Sequence, residues 1–191
     1  MMDENDPATR LSAGPAPDWV FGYGSLMWRP GFAWTERRRA RLEGWRRSFC
    51  LRSIRYRGTP EAPGLVLGLD AEPGAVCDGV AYRPADPAAA RDYLRERELV
   101  TYAYREAVLP VALETGAVAA ALTYVIDPEH AQYAGGLSCA EQAAIIARAA
   151  GPMGPNAAYL ASTMEHLAAL GVRDAALEAL HQAVLAEGAR A

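Results

Sequence analysis

Two periods divide the chain. From Trp19 to about Ile126 apolar residues alternate with polar ones or gather in short runs, the mark of strands. From Ser138 onward they recur every three or four residues, the mark of amphipathic helices. The candidate strands are WVFGYG, ARLEGWRRSFCLRS, GLVLGLD, VCDGVAYR, EAVLPVALE and AVAAALTYVI. Gly58-Thr59-Pro60, Glu72-Pro73-Gly74 and Thr115-Gly116 punctuate them, since glycine and proline supply the backbone angles of turns. The last two strands, split only by Thr115-Gly116, read as a hairpin.

One helix interrupts this β region, ADPAAARDYLRERE. Asp86 is its expected N-cap, and Pro87 takes the first helical position, where a missing N–H costs nothing. Three more helices follow. Ser138 and Glu141 form a capping box ahead of Ile145 and Ile146, with Gly151 as the expected stop. Asn156 is the expected cap of the next, whose stripe is Leu160, Met164, Leu167 and Leu170. Asp174 opens the last, with Leu177, Leu180 and Val184 facing inward. Strands followed by helices predict an α+β fold rather than a doubly wound α/β sheet.

Composition narrows the class. The chain has 191 residues, 51% hydrophobic and 22% charged, enough apolar material for a substantial core. No apolar run approaches the roughly 18 residues of a membrane span, so no membrane partner is expected. Residues 1–17 are acidic and then rich in alanine and proline, without the apolar core of a signal peptide. They are expected to form a disordered tail, leaving 18–187 as a single domain, a monomer in the cytoplasm. Net charge is −4, which argues against a nucleic-acid partner. All 19 basic residues are arginine, and nine lie between Arg37 and Arg57, read as the solvated face of a twisted hairpin. Cys50, Cys77 and Cys139 lack any C-x-x-C pairing and are expected to be reduced, Cys50 within the core. His130, His166 and His181 show no ligand spacing, so no metal site is expected.

Candidate chemistry sits in two places. The stretch VFGYGSLMW begins like a dinucleotide fingerprint, but the third small residue is replaced by Met27, and Trp28-Arg29-Pro30 prevents a long helix from starting. The pyrophosphate cradle is therefore excluded. A tight turn over Gly22, Tyr23, Gly24 and Ser25 still presents backbone N–H groups suited to a carboxylate or oxyanion. The second place is the end of the interrupting helix. Steps of four give Ala90, Leu94 and Glu98, so Glu98 shares an apolar face, whereas Glu96 points to solvent. Partial burial and the helix dipole both favour the neutral acid there, raising its pKa toward the range useful in acid/base work. An ion pair with Arg95 or another arginine is the purely structural alternative.

Taken together these stretches resemble the ChaC-type γ-glutamylcyclotransferases that act on glutathione. The matching pieces stand in family order: WVFGYGSLMWRPGF, LEGWRRSFCLRS, RGTPEAPGLVLGLD, CDGVAYR, YLREREL with YREAVLPV, HAQYAGGLS and GPMGPNAAYL, spanning about residues 18 to 180. The resemblance implies a compact, partly closed mixed β-barrel with surrounding helices, a γ-glutamylcyclotransferase-like fold. It implies that Gly22, Tyr23, Gly24, Ser25, Leu26 and Met27 grip the γ-glutamyl group, that Glu98 is the catalytic acid/base, and that Tyr159 lies near the site. It implies cyclisation of the glutamyl group to 5-oxoproline with release of Cys-Gly, and no cofactor. The substrate amine released could instead belong to another γ-glutamyl peptide or amine, and a non-catalytic γ-glutamyl-binding module is the reading from outside enzymology. Two positions depart from relatives. Tyr102 stands where they carry glycine, so either its ring narrows the room for the leaving amine or its backbone must hold a positive φ. Arg55-Tyr56 replaces an Asp-His pair of some relatives.

Overall fold

The computed structural model describes residues 14–189. Of the expected tail, residues 1–13 lie outside the described residues; Gly14 is tied down, its carbonyl accepting from Arg91 Nη1 at 2.8 Å. The chain divides into two compact units, one comprising residues up to Arg47 with Leu69–His130, the other Ser48–Gly68 with the residues from Ala131 on.

The first unit holds most of a closed barrel in which the strands follow the order β1-β3-β2-β4-β5, with β2 continuing past Arg47 and β3 beginning before Leu69, in residues of the second unit. β1 (Trp19–Gly22) is short and buried throughout. It runs antiparallel to β3 (Gly64–Pro84), Val20 opposite Tyr82, and closes the barrel by a parallel pairing with β5 (Val118–Ile126), Val20 opposite Leu122. β4 (Tyr104–Leu113) and β5 form the expected hairpin from Tyr104↔Ile126 to Ala112↔Val118, and Gly116 takes φ +86° in its turn. β4 also meets β2 (Trp34–Ser53) at Ala40↔Leu113.

β2 and β3, of 20 and 21 residues, are far longer than the strands expected from the pattern. The predicted pair GLVLGLD and VCDGVAYR is one strand. Glu72-Pro73-Gly74 does not break it, because Gly74 absorbs the bend at φ +83° within the ladder, as in a bulge. β2 starts at Trp34 rather than Ala40; Trp34 to Arg39 are all exposed or half-buried, so no apolar alternation advertises that end. Its arginines are not all solvated. Arg38, Arg41 and Arg46 pair at the surface with Glu36, Asp78 and Glu72, but Arg47 is 3% exposed.

The second unit carries α2 (Cys139–Arg148), α3 (Asn156–Ala169) and α4 (Ala175–Gly188), with α2 packed on both of the others. The Ser138–Glu141 capping box and the Asp174 cap form as expected, and Leu177, Leu180 and Val184 are buried. Three expectations fail here. α2 ends at Arg148, and Gly151 instead pairs with Gly154 in a two-residue ribbon, β6 (Ala150–Gly151) with β7 (Gly154–Pro155). Asn156 does not cap α3; it is fully buried in the first turn, its carboxamide exchanging hydrogen bonds of 2.6 and 2.7 Å with the amide and carbonyl of Leu65. The buried row of α3 is Asn156, Leu160, Thr163 and Leu167, so Met164 and Leu170 are only half-buried. Thr163 can occupy the core because its hydroxyl donates back to the Tyr159 carbonyl at 2.9 Å. Cys50 is in the core as expected. No helix among the described residues is long and apolar enough to cross a membrane.

What positions the first unit's α1 (Pro87–Glu98) is a buried carboxylate. Asp86 caps the helix by accepting from the Ala89 amide at 3.0 Å, and Pro87 opens it. Along its inner face Ala90, Arg91 and Leu94 are buried. On β4, Glu106 is 4% exposed and accepts from Arg91 (Nε 3.0 Å, Nη2 2.6 Å), from Arg95 (Nε 2.7 Å, Nη2 3.0 Å) and from the Tyr124 hydroxyl at 3.3 Å. Burial alone would push this carboxyl up; the hydrogen bonds from Arg95 and Arg91 override it and hold the group down to about 2.

A carboxylate depressed in the folded state stabilises the protein in full above its unfolded value of 4.5, and that contribution is lost as pH falls from there through about 2. Urea titrations between neutral pH and pH 2 will therefore show stability falling over this window. Glu106→Gln will remove that part of the fall and destabilise the protein at neutral pH by about 3 kcal/mol, because Arg91 is left buried without a counter-charge.

Candidate functional site

The glycine turn follows β1 directly. Beyond Gly22 the chain makes a single 3-10 turn over Ser25–Met27, and no long helix starts, as Pro30 required. The amides of Met27, Trp28 and Arg29 fold back onto the Gly24 and Ser25 carbonyls at 2.9, 3.3 and 2.8 Å. The Ser25 and Leu26 amides have no acceptor among the described residues, and no side chain caps the turn. Gly22 is needed for space: a Cβ there would lie 2.9 Å from Leu26 Cβ.

Four elements pin this turn. Arg47 of β2 donates from Nε to the Tyr23 carbonyl at 2.5 Å and from Nη2 to the Asp78 carbonyl. Tyr82 of β3 donates its hydroxyl to the Met27 carbonyl at 2.6 Å. The Tyr23 hydroxyl donates to the Tyr124 carbonyl of β5 at 2.9 Å. From α1, Arg97 donates through Nη2 to Ser25 Oγ and through Nη1 to the Arg29 carbonyl, both at 2.8 Å. Loops held from so many sides lose little order when a ligand binds, which favours affinity.

Glu98 is the last residue of α1, on the face shared with Ala90 and Leu94, while Glu96 is exposed. Its side chain is 20% exposed, and Arg97 Nε lies 3.0 Å from Oε1. Burial pushes the Glu98 carboxyl above its ordinary value of 4.5, and the Arg97 charge opposes the shift. The ion pair is thus with Arg97, not with Arg95, which is committed to Glu106. Leu26 of the turn and Leu94 of α1 share one apolar cluster with Val20, Leu122 and Tyr124, flanked by Phe32, Leu99, Tyr104 and Val108. The turn and Glu98 are therefore joined through packing as well as through Arg97. Burial and the charges of Glu106 and Glu98 keep the Tyr124 hydroxyl protonated far beyond its ordinary range.

The structure thus brings together Gly22, Tyr23, Gly24, Ser25, Leu26, Met27 and Glu98. Tyr159 lies in the second unit, where its ring packs edge-on against Phe49 at 5.7 Å and under the Arg57 guanidinium at 5.3 Å. Sequence reasoning overlooked Arg97, Arg47 and Tyr82. Nothing in their spacing distinguishes them from solvated or core residues; their roles are bonds to carbonyls and hydroxyls far away in sequence.

Tyr102 resolves the two alternatives raised by the missing glycine. Its φ is +55°, the sole positive φ at a non-glycine among the described residues, and it is 74% exposed. The loop after Glu98 keeps a glycine-like backbone and turns the ring to solvent. Such left-handed residues cost about 1–2 kcal/mol and persist where their surroundings over-determine them.

A protein-family model described as ChaC-like protein matches residues 18–187. A glutathione-specific γ-glutamylcyclotransferase of Escherichia coli is 38% identical over 175 residues, 91% of this chain and 74% of that protein. The γ-glutamylcyclotransferase 2-3 of Arabidopsis thaliana is 37% identical over 164 residues, 82% of each chain. Among solved structures, a γ-glutamyl cyclotransferase specific to glutathione from yeast superposes with a TM-score of 0.80 at 26% identity, covering 90% of this chain and 99% of that one.

Tyr102→Gly will relieve the left-handed strain but add backbone freedom to the unfolded chain. The expected net effect is stabilisation by about 0.5–1 kcal/mol, read as a higher urea midpoint at constant m-value.

Proposed function

The chain belongs to the ChaC-like family, and from that premise we propose that it cleaves glutathione to 5-oxoproline and Cys-Gly as a γ-glutamylcyclotransferase. The observation that carries the reading is Glu98, a carboxyl partly withdrawn from water and joined through Arg97 to a turn whose Ser25 and Leu26 amides have no acceptor among the described residues. The family match runs through both compact units, which supports treating residues 18–187 as one functional domain.

The reaction needs no second reactant. The α-amino nitrogen of the glutamyl residue attacks its own γ-carbonyl, a five-membered lactam closes, and the amide bond to cysteine breaks. With nucleophile and electrophile in one molecule, the protein has two tasks: to curl the glutamyl chain, and to move a proton. Curling is assigned to the turn. The Ser25 and Leu26 amides bind either the α-carboxylate or the oxygen that gains negative charge on the γ-carbon. Holding the chain bent places the amine against the carbonyl and removes the entropy of finding it.

Proton transfer is assigned to Glu98. The α-amino group is an ammonium at neutral pH, with a reference pKa of roughly 8. Glu98 takes a proton from it, frees the lone pair, and then delivers a proton to the departing nitrogen. A base must be ionised, and burial works against that. Arg97 opposes the effect, and the incoming ammonium opposes it further, both favouring the carboxylate form that a base needs. Because substrate supplies nucleophile and electrophile alike, these two tasks account for the reaction without a cofactor.

Purified protein incubated with glutathione will yield 5-oxoproline and Cys-Gly in equal amounts. Turnover of other γ-glutamyl compounds alone would reassign the substrate, and binding without product would make the protein a metabolite-binding module. Glu98→Gln will lower kcat by about 10²–10⁴-fold at an unchanged thermal midpoint. The wild-type kcat/KM profile will rise with pH through an acid limb above 4.5, since the ionised form is active and burial raises its pKa.

A further inference from the structure

Adjacent residues of a helix point about 100° apart and do not ordinarily pair. Arg97 and Glu98 nevertheless do at the C-terminal end of α1, where Arg97 Nε lies 3.0 Å from Glu98 Oε1. All three nitrogens of the Arg97 guanidinium are engaged: Nε with Glu98 Oε1 at 3.0 Å, Nη2 with Ser25 Oγ at 2.8 Å, and Nη1 with the Arg29 carbonyl at 2.8 Å. Its side chain is 21% exposed, which shields these bonds in part from competing water. We propose that Arg97 is a positioning residue, a three-point clamp that fixes the glycine turn and the Glu98 carboxylate at one separation. The proposal rests on the reading of the turn and Glu98 given above and adds the part that couples them.

The planar fork is what the clamp requires. A lysine in the same place carries one nitrogen at the end of a flexible stem, so it can hold Glu98 or the turn but not both in fixed geometry. The other arginines of the helix cannot substitute, because Arg91 and Arg95 are spent on Glu106. Among the described residues, Arg97 is the cation that acts on the Glu98 carboxyl. From β5 the Tyr124 hydroxyl remains neutral, and behind it Glu106 of β4 is ionised and matched by its two arginines. Charge and shape are therefore separable: lysine retains the first and loses the second.

Arg97→Ala, Arg97→Lys and Arg97→Gln are compared with wild type for kcat and KM across pH. Amide hydrogen exchange over residues 23–29 and NMR titration of the Glu98 carboxyl are measured alongside. In Arg97→Ala, kcat/KM is expected to fall about ten- to a hundredfold, the loss of charged hydrogen bonds at a desolvated site. Its acid limb and the Glu98 titration should move to higher pH, and the turn should exchange faster. Arg97→Lys should restore the titration but neither KM nor turn protection. Arg97→Gln keeps a planar donor and serves where the alanine variant does not fold; it should shift the titration as alanine does. An alanine variant with lower thermal stability but wild-type pH profile, KM and exchange would overturn the proposal. So would full rescue by lysine, which would reduce Arg97 to a charge. Wild type without turnover of any γ-glutamyl substrate would refute the functional reading, while exchange and titration would still decide whether the clamp exists.

Discussion

The first unit is organised by a carboxylate that has been taken out of water. Glu106 is almost inaccessible, and an ionised carboxylate in such a place is tolerated only if its lone pairs are filled and its charge matched. Arg91 and Arg95, one helical turn apart, do both from the same side of α1. An apolar contact would let the helix slide or rotate by a few degrees at small cost. Four charge-assisted hydrogen bonds to one carboxylate do not, because their geometry is directional. Fixing Arg91 and Arg95 fixes the next turn of the helix as well, and that turn carries Arg97 and Glu98.

Glu106 and Glu98 show how neighbours rather than residue type set a carboxyl's character. Both lose water on folding. Glu106 gains two arginines and a phenol and is held well below the usual carboxylate range; Glu98 gains one guanidinium shared among three acceptors and is pushed above its ordinary value. Pairs of acids pushed apart in this way are how one fold separates a permanent anion from a proton carrier. Arg97 divides its guanidinium among Glu98, Ser25 and the Arg29 carbonyl, and burial keeps the Glu98 carboxyl above its ordinary value in spite of that charge.

Much of this was legible in the sequence where the signal is local. Asp86-Pro87, the Ser138–Glu141 box and Asp174 mark helix starts because capping involves residues three apart. The 3.6-residue period placed Glu98 beside Leu94, and Pro30 excluded a phosphate-binding helix. Legibility failed where tertiary partners overrode a local rule. Asn156 has the right chemistry for a cap but is spent on the Leu65 backbone, and Glu72-Pro73-Gly74 looks like a turn but only bends a strand that runs through it. Arg47 reads as one more surface arginine until the Tyr23 carbonyl is found beneath it. The positive φ of Tyr102 is one of two alternatives that the sequence leaves open, raised by the glycine of relatives at that position and not by the tyrosine itself.

The way the barrel closes has a bearing on when the turn can exist at all. β1, the first described strand, has its neighbours at Val80–Tyr82 and at Ala121–Leu122, about a hundred residues downstream on the far side. Contacts of such sequence separation are entropically expensive and form late. A growing polypeptide emerging from the ribosome therefore carries the glycine turn long before it has the β5 edge and the α1 arginine that shape it. The glycine turn is thus made early but gains its fixed shape only when its distant partners exist, so a half-made chain holds the motif without its geometry.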